Sequence, residues 1–305
     1  MSSTAFIYPG QGSQFVGMAK SMVESNLDFF ADHIEVINEI CGEDFLELMF
    51  EGPIEDLSVT TNTQPALFIA SALVTDLLKE KGANPKFVAG HSLGEYSALY
   101  AAEVFNFRTG LTLVKQRGDM MNKAVPAGVG TMAAIIGLAP EKIEEISKDA
   151  GIEVANYNNA SQIIVSGEKE KVVASLVAFS EAGAKRAMEL NVSGPFHSSL
   201  MKPMADEFSQ FLSDMDFVDA KIPVVTNVDA MITTDANEIK KKLVKQLYSS
   251  VYWMQSVEKL TAKGVDSYIE CGAGKVLTGI TKRISKTSQF TAIDNSDDLI
   301  RYIEG

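Results

Sequence analysis

Short apolar runs alternate with longer amphipathic stretches along the first part of the chain. The run at residues 5–8 carries β-formers and stops at Pro9-Gly10, which predicts a buried strand. Residues 65–81 predict a helix that Pro65 opens. Residues 87–89 predict a second strand, and residues 94–103 the helix directly after it. This alternation favours an α/β fold whose sheet is mainly parallel.

The pattern changes after residue 126. Strands are predicted at 131–137, 152–155, 162–166 and 184–192, with helices at 140–150 and 168–182. This β-α-β-β-α-β order is ferredoxin-like. The α/β pattern then resumes, with a helix to about 215, a strand at 223–226, a basic helix from 236, a helix near 253 and a strand at 267–270. We therefore expect a large α/β subdomain, residues 1–126 and 197–305, interrupted by a small subdomain, residues 127–196.

Composition and charge exclude several classes. The chain has 305 residues, 27 Lys and Arg against 40 Asp and Glu, and a net charge of −13, which argues against a nucleic-acid or anionic-membrane surface. No apolar run approaches the ~20 residues that span a bilayer, and residues 1–4 lack the basic start of a signal peptide. With only Cys41 and Cys271, a reducing cytoplasm fits best. The three histidines lie far apart, so no metal site is expected.

The clearest chemical signal is Gly90-His91-Ser92-Leu93-Gly94, between a predicted strand and a predicted helix. In that context the pattern G-x-S-x-G is a nucleophile elbow, in which the glycines permit a tight turn that projects the serine hydroxyl. The N–H of Leu93 then lies at a helix N-terminus, where unpaired donors favour an oxyanion. The alternative is a plain strand-to-helix turn.

A nucleophilic serine needs a base. We expect His33 on the surface of a Glu-rich helix, and the ring of His91 to point away from Ser92 and pack inside or bond the backbone. His197 lies in a Gly/Pro turn where the two subdomains meet, and such junctions form clefts. By elimination His197 is the base, although a satisfied loop histidine is the alternative.

Three further features bear on this site. No Asp or Glu between Ser92 and His197 stands alone at the end of a core strand, so a backbone carbonyl could orient the histidine instead. The loop Gly10-Gln11-Gly12 lacks a third glycine and the P-loop lysine, yet the N–H of Gln11 could be a second oxyanion donor. Arg117 lies on the apolar face of its helix and needs a partner, either a protein carboxylate or a substrate carboxylate.

The motifs together resemble one known family, malonyl-CoA:acyl carrier protein transacylase. They run in that family's order from residue 6 to residue 294: GQGSQ at 10–14, GHSLGEYSAL at 90–99, Arg117 with Gly118, GPFHS at 194–198, QLYSSVYW at 246–253 and GAGKVLTG at 272–279. The resemblance implies an α/β fold with an α/β hydrolase-like large subdomain interrupted by a ferredoxin-like small subdomain. It also implies malonyl transfer from coenzyme A to the phosphopantetheine thiol of acyl carrier protein, with no cofactor.

The resemblance also implies roles for individual residues. Ser92 would be the nucleophile and His197 the general base and acid, oriented by the backbone carbonyl of Gln246. The N–H groups of Gln11 and Leu93 would form the oxyanion hole, and Arg117 would hold the malonyl carboxylate. The substrate would also contact Met121, Asn158 and Phe196, the last resembling the malonyl-selective form of its motif. Residues 159–161 depart from the family's usual Ser-Pro-Gly, and Cys271 and Ala273 also depart from its pattern.

An acidic chain that meets an acidic carrier protein needs a local basic patch. The candidates are Lys240, Lys241, Lys242, Lys245, Lys275, Lys282, Arg283 and Lys286, and a solvated helix face is the alternative. We expect a monomer. Two other functions stay open at this point: an esterase or thioesterase, which would need the missing acid, and a carrier-protein-binding scaffold with a silent site.

Overall fold

Two sheets organise the computed structural model, which describes residues 3–126 and 128–304. The strands of the described chain are β1 (Thr4–Tyr8), β2 (Phe87–Gly90), β3 (Gly130–Ile136), β4 (Glu153–Asn159), β5 (Gln162–Glu168), β6 (Arg186–Glu189), β7 (Val224–Val225), β8 (Ile232–Thr233), β9 (Ser267–Cys271) and β10 (Gln289–Ile293). The larger sheet has the order β10-β9-β1-β2-β7-β8 and is parallel except at the pairing of β7 with β8. The smaller sheet is antiparallel, in the order β4-β5-β3-β6.

Helices cover both sheets. They are α1 (Lys20–Ser25), α2 (Ala31–Cys41), α3 (Phe45–Glu51), α4 (Ile54–Leu57), α5 (Thr60–Glu80), α6 (Gly94–Ala101), α7 (Phe107–Lys123), α8 (Pro140–Ala150), α9 (Lys169–Glu181), α10 (Ala205–Ser213), α11 (Ala236–Gln246), α12 (Trp253–Ala262), α13 (Val276–Thr281) and α14 (Ser296–Glu304). A 3₁₀ helix, Ser199–Met204, precedes α10. The order β3-α8-β4-β5-α9-β6 and the sheet order are those of a ferredoxin-like unit.

Two elements differ from the sequence expectation. Helix α5 begins at Thr60 rather than at Pro65, because side chains stabilise its first turn: Thr63 Oγ1 donates to the carbonyl of Leu57 (2.7 Å) and Asn62 Nδ2 to that of Asp56 (3.0 Å). Strand β6 is only four residues long, since it pairs with β3 alone and forms the edge of its sheet. The other predicted elements occur within a few residues of their expected bounds.

The small sheet docks on the large unit through a short parallel bridge. The N–H of Val251 donates to the carbonyl of Ala155 (2.8 Å), and the N–H of Tyr157 donates to the carbonyl of Val251 (2.9 Å). The rings of Tyr157 and Tyr252 stack beside this bridge at 5.1 Å. These contacts hold β4 over the carboxyl edge of the large sheet, where a cleft forms. The expected subdomain boundaries stay a prediction, and the boundary at residue 127 lies outside the described residues.

Candidate active site

Ser92 occupies a sharp turn between β2 and α6. The turn needs glycine on both sides: a Cβ on Gly90 would lie 1.9 Å from the backbone of Gly94, and a Cβ on Gly94 would lie 2.1 Å from the carbonyl oxygen of Tyr8. Ser92 itself has a φ of 52°, in the left-handed region that non-glycine residues seldom adopt. Backbone held in this way projects the Ser92 side chain into the cleft.

His197 lies directly against this serine. Its Nε2 is 2.7 Å from Ser92 Oγ, and its Nδ1 is 2.8 Å from the carbonyl oxygen of Gln246. Because that carbonyl can only accept, Nδ1 carries the proton and Nε2 presents its lone pair to the serine hydroxyl. Burial, together with the charge of Arg117, lowers the pKa of His197 to about 3, so the ring is neutral at neutral pH.

The other two histidines lie away from the serine hydroxyl. His91 Nε2 is 2.8 Å from Asn158 Oδ1, so its partner is a side chain across the cleft rather than the backbone. The expectation for His33 was wrong, since its ring is largely buried against Phe30 and Phe107. Its Nε2 lies 2.9 Å from Asp76 Oδ2, a contact that helix periodicity cannot reveal because Asp76 is on α5.

Arg117 points into the same site and has only neutral hydrogen-bond partners. Its Nη1 donates to Gln64 Oε1 (2.8 Å), and its Nη2 donates to Gln246 Oε1 (3.0 Å) and to Ser92 Oγ (3.2 Å). The residue is 1% exposed, its Nε has no acceptor, and the guanidinium lies over the ring of Tyr96 at 5.3 Å. Within the described residues Arg117 forms no ion pair. A buried cation in this state favours an anionic ligand.

Two backbone donors remain unpaired at the cleft. Neither the N–H of Gln11 nor that of Leu93 has a hydrogen-bond acceptor within residues 3–126 and 128–304, and both residues line the cavity. Gly10 allows their approach, since a Cβ there would lie 2.4 Å from the carbonyl oxygen of His91. Two N–H groups of this kind are suited to an oxyanion.

Sequence reasoning missed three side chains that hold the serine turn. Asn227 accepts from the N–H of Ser92 (2.7 Å) and donates to the carbonyl of Gly90 (2.6 Å). The Gln246 amide donates to Glu95 Oε2 (2.6 Å) and to the carbonyl of Ser92 (2.9 Å). One signal could have found Asn227: it follows a strand that neighbours β2, and carboxyl ends of parallel strands share one edge of a sheet. Glu95 lies within the motif GHSLGEYSAL at 90–99, but the sequence gives it no role.

The cavity between the two sheets has a volume of about 370 Å³. Met121 and Phe196 are buried in its wall, and Asn158 contributes from β4. The small sheet contributes Met132, Ala134 and Ile164 to its apolar lining, and the segment after β6 contributes Leu190 and Val192. Val276, Leu277 and Ile280 on α13 line the same cavity. A polar reacting centre therefore lies in a largely apolar, narrow chamber.

The candidate basic residues fall into two groups. Lys240 donates to the carbonyl of Met215 (2.5 Å), and Lys242 pairs with Asp229 (3.0 Å) and Glu238 (2.6 Å), so both serve the fold. The remaining six are exposed: Lys241, Lys245, Lys275, Lys282, Arg283 and Lys286. Across the described part of the chain we find neither a cluster of metal-binding side chains nor a helix long and apolar enough to cross a membrane.

Comparison with known proteins identifies the family. Residues 5–293 match the model of a family described as an acyl transferase domain. A malonyl CoA-acyl carrier protein transacylase of Bacillus subtilis (strain 168) is 42% identical over 304 residues, which cover 98% of this chain and 96% of that protein. The chain belongs to the malonyl-CoA:acyl carrier protein transacylase family. A transacylase of the same name from Staphylococcus aureus (strain MRSA252) is 45% identical, with 98% of each chain covered.

Solved structures of this transacylase family share the fold. The acyl carrier protein S-malonyltransferase of Vibrio cholerae superposes with a TM-score of 0.95 at 43% identity, covering 99% of this chain and all of that one. A malonyl-transacylase solved in complex with its type II PKS acyl-carrier protein has a TM-score of 0.95 at 41% identity, covering 99% of each chain. The expected family and the expected fold class, an α/β hydrolase-like unit interrupted by a ferredoxin-like one, are both confirmed.

Proposed function

We propose that this transacylase moves a malonyl group from coenzyme A to the phosphopantetheine thiol of an acyl carrier protein through an ester on Ser92, supplying fatty acid or polyketide chain elongation. The names of its relatives support the substrate pair, and the complex of a related transacylase with its carrier protein supports the partner. One observation carries the proposal: a buried, ion-pair-free guanidinium lies 3.2 Å from the hydroxyl of a serine that contacts a neutral histidine.

The first half-reaction forms the ester. Nε2 of His197 takes the proton of Ser92 Oγ while that oxygen attacks the thioester carbonyl. The N–H groups of Gln11 and Leu93 stabilise the tetrahedral oxyanion, and one donor of this kind is worth roughly 10²- to 10³-fold in rate. The C–S bond then breaks, and the coenzyme A thiolate takes the proton from His197. The carbonyl of Gln246 stabilises the transient imidazolium, which is the task of the acid in other triads.

The second half-reaction runs in reverse. The phosphopantetheine thiol gives its proton to His197 as its sulfur attacks the ester, and Ser92 leaves with that proton. The coenzyme A thioester is thus a substrate and free coenzyme A a product, and no step of this scheme uses a cofactor. Bound substrate together with the apolar side chains of the cavity wall would limit the access of water to the ester, which favours transfer over hydrolysis.

Arg117 would select the acyl group. Its planar guanidinium can bind a carboxylate through two N–H groups, and its Nη2 already lies 3.2 Å from the hydroxyl that would carry the malonyl group. An acyl group without a carboxylate leaves the cation desolvated and unpaired, so acetyl transfer is disfavoured. Phe196, Met121 and Asn158 would shape the space around the malonyl group.

For the carrier protein we propose docking beside α13. Val276 and Ile280 of this helix line the cavity, and the exposed basic residues Lys275, Lys282 and Arg283 lie on or next to it. A basic rim at the cavity mouth complements an acidic partner. Lys286 would extend this rim. Lys241 and Lys245 lie on α11, which follows β8 at the opposite edge of the large sheet, and Lys240 and Lys242 are held by internal contacts.

Intact mass spectrometry tests the proposal. We expect one malonyl group to be added when the protein meets malonyl-CoA, and none on the variant Ser92→Ala. Addition of holo acyl carrier protein should then remove the group and yield the malonyl carrier thioester. Release of free malonate at the same rate without any thiol would identify a thioesterase, and a malonyl adduct that persists on Ser92→Ala would exclude Ser92 as the nucleophile.

A further inference from the structure

The hydrogen bonds of Gln246 connect the two halves of the active site. Its backbone carbonyl accepts from His197 Nδ1 (2.8 Å), its Oε1 accepts from Arg117 Nη2 (3.0 Å), and its Nε2 donates to Glu95 Oε2 (2.6 Å). The residue is fully buried. Gln246 thus contacts the base His197 through its backbone carbonyl and the guanidinium of Arg117 through its side-chain amide.

Glu95 makes the shortest of three contacts that set which way this amide points. An amide has a donor end and an acceptor end, and the carboxylate of Glu95 accepts from Nε2 at 2.6 Å, beside the carbonyl of Ser92 (2.9 Å) and Asn227 Oδ1 (3.2 Å). With Nε2 held in this way, Oε1 faces Arg117, where the reversed amide would place two donors against each other. Glu95 is 1% exposed and also receives the N–H of Asn227 at 3.4 Å. The Glu95 carboxylate is therefore held by protein contacts and does not face solvent.

The same arrangement separates two opposite buried charges by one amide. We infer that Glu95 is a positioning residue: it orients Gln246 and acts through that amide as the remote countercharge of Arg117, leaving the guanidinium free for the substrate carboxylate. This inference rests on the proposed function. A direct ion pair between Glu95 and Arg117 would occupy the guanidinium and weaken its binding of the substrate carboxylate. Without any countercharge, the buried cation would destabilise the protein when no substrate is bound.

A coupling between substrate and Glu95 follows from this placement. Burial raises the pKa of Glu95 to about 7, even though hydrogen bonds from Gln246 and Asn227 and the charge of Arg117 oppose this rise. The other charged group that acts on it is Asp229, which is itself paired with Lys242 at 3.0 Å. When a malonyl carboxylate binds Arg117, Glu95 shares the cation with a second anion. We therefore expect Glu95 to take up a proton as malonyl binds.

The binding experiment uses Ser92→Ala, which cannot turn over. Titration calorimetry at pH 7 in buffers of different ionisation enthalpy measures the protons taken up with malonyl-CoA and with acetyl-CoA, whose coenzyme A moieties are identical. We expect more protons to be taken up with malonyl-CoA than with acetyl-CoA. This difference between the two thioesters should vanish in the double variant that combines Ser92→Ala with Glu95→Gln. Malonyl-CoA binding without excess uptake overturns the role of Glu95 and leaves the proposed function standing. Equal affinity for malonyl-CoA and acetyl-CoA overturns both the role of Glu95 and the proposed selection of malonyl by Arg117.

Kinetics separate the two parts of the role. In Glu95→Gln the Gln246 amide keeps an acceptor, so we expect kcat to stay within about 3-fold, while the KM for malonyl-CoA relative to acetyl-CoA loses its pH dependence around pH 7. In Glu95→Ala the amide loses its shortest hydrogen bond and keeps only its contacts with Ser92 and Asn227, and kcat should fall about tenfold for both acyl groups. Glu270→Gln is the matched control, because Glu270 is a second buried carboxylate with a pKa near 7 that instead caps α13. A pH dependence that survives Glu95→Gln, or is lost equally in Glu270→Gln, refutes the inference.

Discussion

Replacement of Arg117 by alanine should invert the acyl preference of this transacylase. The guanidinium is buried and its partners are the neutral oxygens of Gln64, Gln246 and Ser92, so a malonyl carboxylate would be its first anionic partner. Hydrogen bonds to charged groups contribute about 1.5–3 kcal/mol each. A carboxylate held by two of them, less the neutral bonds exchanged, gives a loss of about 3–4 kcal/mol, or roughly 10²- to 10³-fold in malonyl kcat/KM.

The acetyl group makes no use of Arg117. Removing the cation takes away an unpaired buried charge, so we expect acetyl-CoA kcat/KM of Arg117→Ala to stay within about 3-fold of its original value or to rise. The assay follows transfer of each acyl group to holo carrier protein at several concentrations of thioester. Arg117→Lys retains charge without the planar fork and should give an intermediate malonyl rate.

A folding control accompanies this assay, since the truncation leaves the oxygens of Gln64 and Gln246 without a donor. Denaturant unfolding should show a single cooperative transition for both Arg117 variants. If malonyl and acetyl rates fall by the same factor while the fold is intact, Arg117 maintains the site in general and does not clamp the carboxylate.

Three further predictions concern proton transfer, docking and the serine turn. With acetyl-CoA, kcat/KM should be independent of pH from about pH 5 to 8, because His197 with a pKa of about 3 stays neutral there. A fall of kcat/KM below about pH 6.5 would contradict this. In Arg117→Ala the fall on the acid side should move to higher pH, because a positive charge near His197 is removed. Charge reversal at Lys282 should raise the KM for carrier protein but not for malonyl-CoA, and an unchanged KM would move the docking site elsewhere. Gly94→Ala should lower the free energy of unfolding, measured by urea titration, by at least ~2 kcal/mol, because the new Cβ would collide with the backbone of Tyr8. Gly279→Ala is the control: its Cβ would meet open space, so the free energy of unfolding should stay the same or rise. Equal effects of the two substitutions would show that this collision does not determine the need for glycine at 94.

Local pattern was enough to predict the central elements and the serine turn. Alternating apolar runs with Gly and Pro between them predict β1 to β7 and β9 with most of the long helices, but not β8, β10 or the helices α1, α3, α4, α13 and α14. The glycines around Ser92 are required by contacts of about 2 Å. The start of α5 was missed because Thr63 and Asn62 stabilise its first turn through contacts with the preceding segment. Such side-chain contacts are set by tertiary packing and have no periodic signal.

The site was predictable only in part, for the same reason. Ser92 and His197 follow from a motif and from elimination among three histidines. Asn227 reaches the serine turn, and Gln246 reaches Glu95, only because β2, β7 and α11 converge at one edge of the sheet. An acid on a helix face and an asparagine after a short strand are common sequence features. Their role becomes visible only when distances between residues more than 100 positions apart are known.

The backbone at the reacting pair has a consequence for the evolution of this enzyme. Ser92 and His197 have φ values of 52° and 59°, a conformation that costs a residue with a Cβ of order 1–3 kcal/mol. Glycine would relieve that strain at either position and abolish the chemistry. Selection for activity thus opposes selection for stability at both reacting residues. Natural variants that gain stability should therefore carry their changes elsewhere, in the helices that surround the sheet.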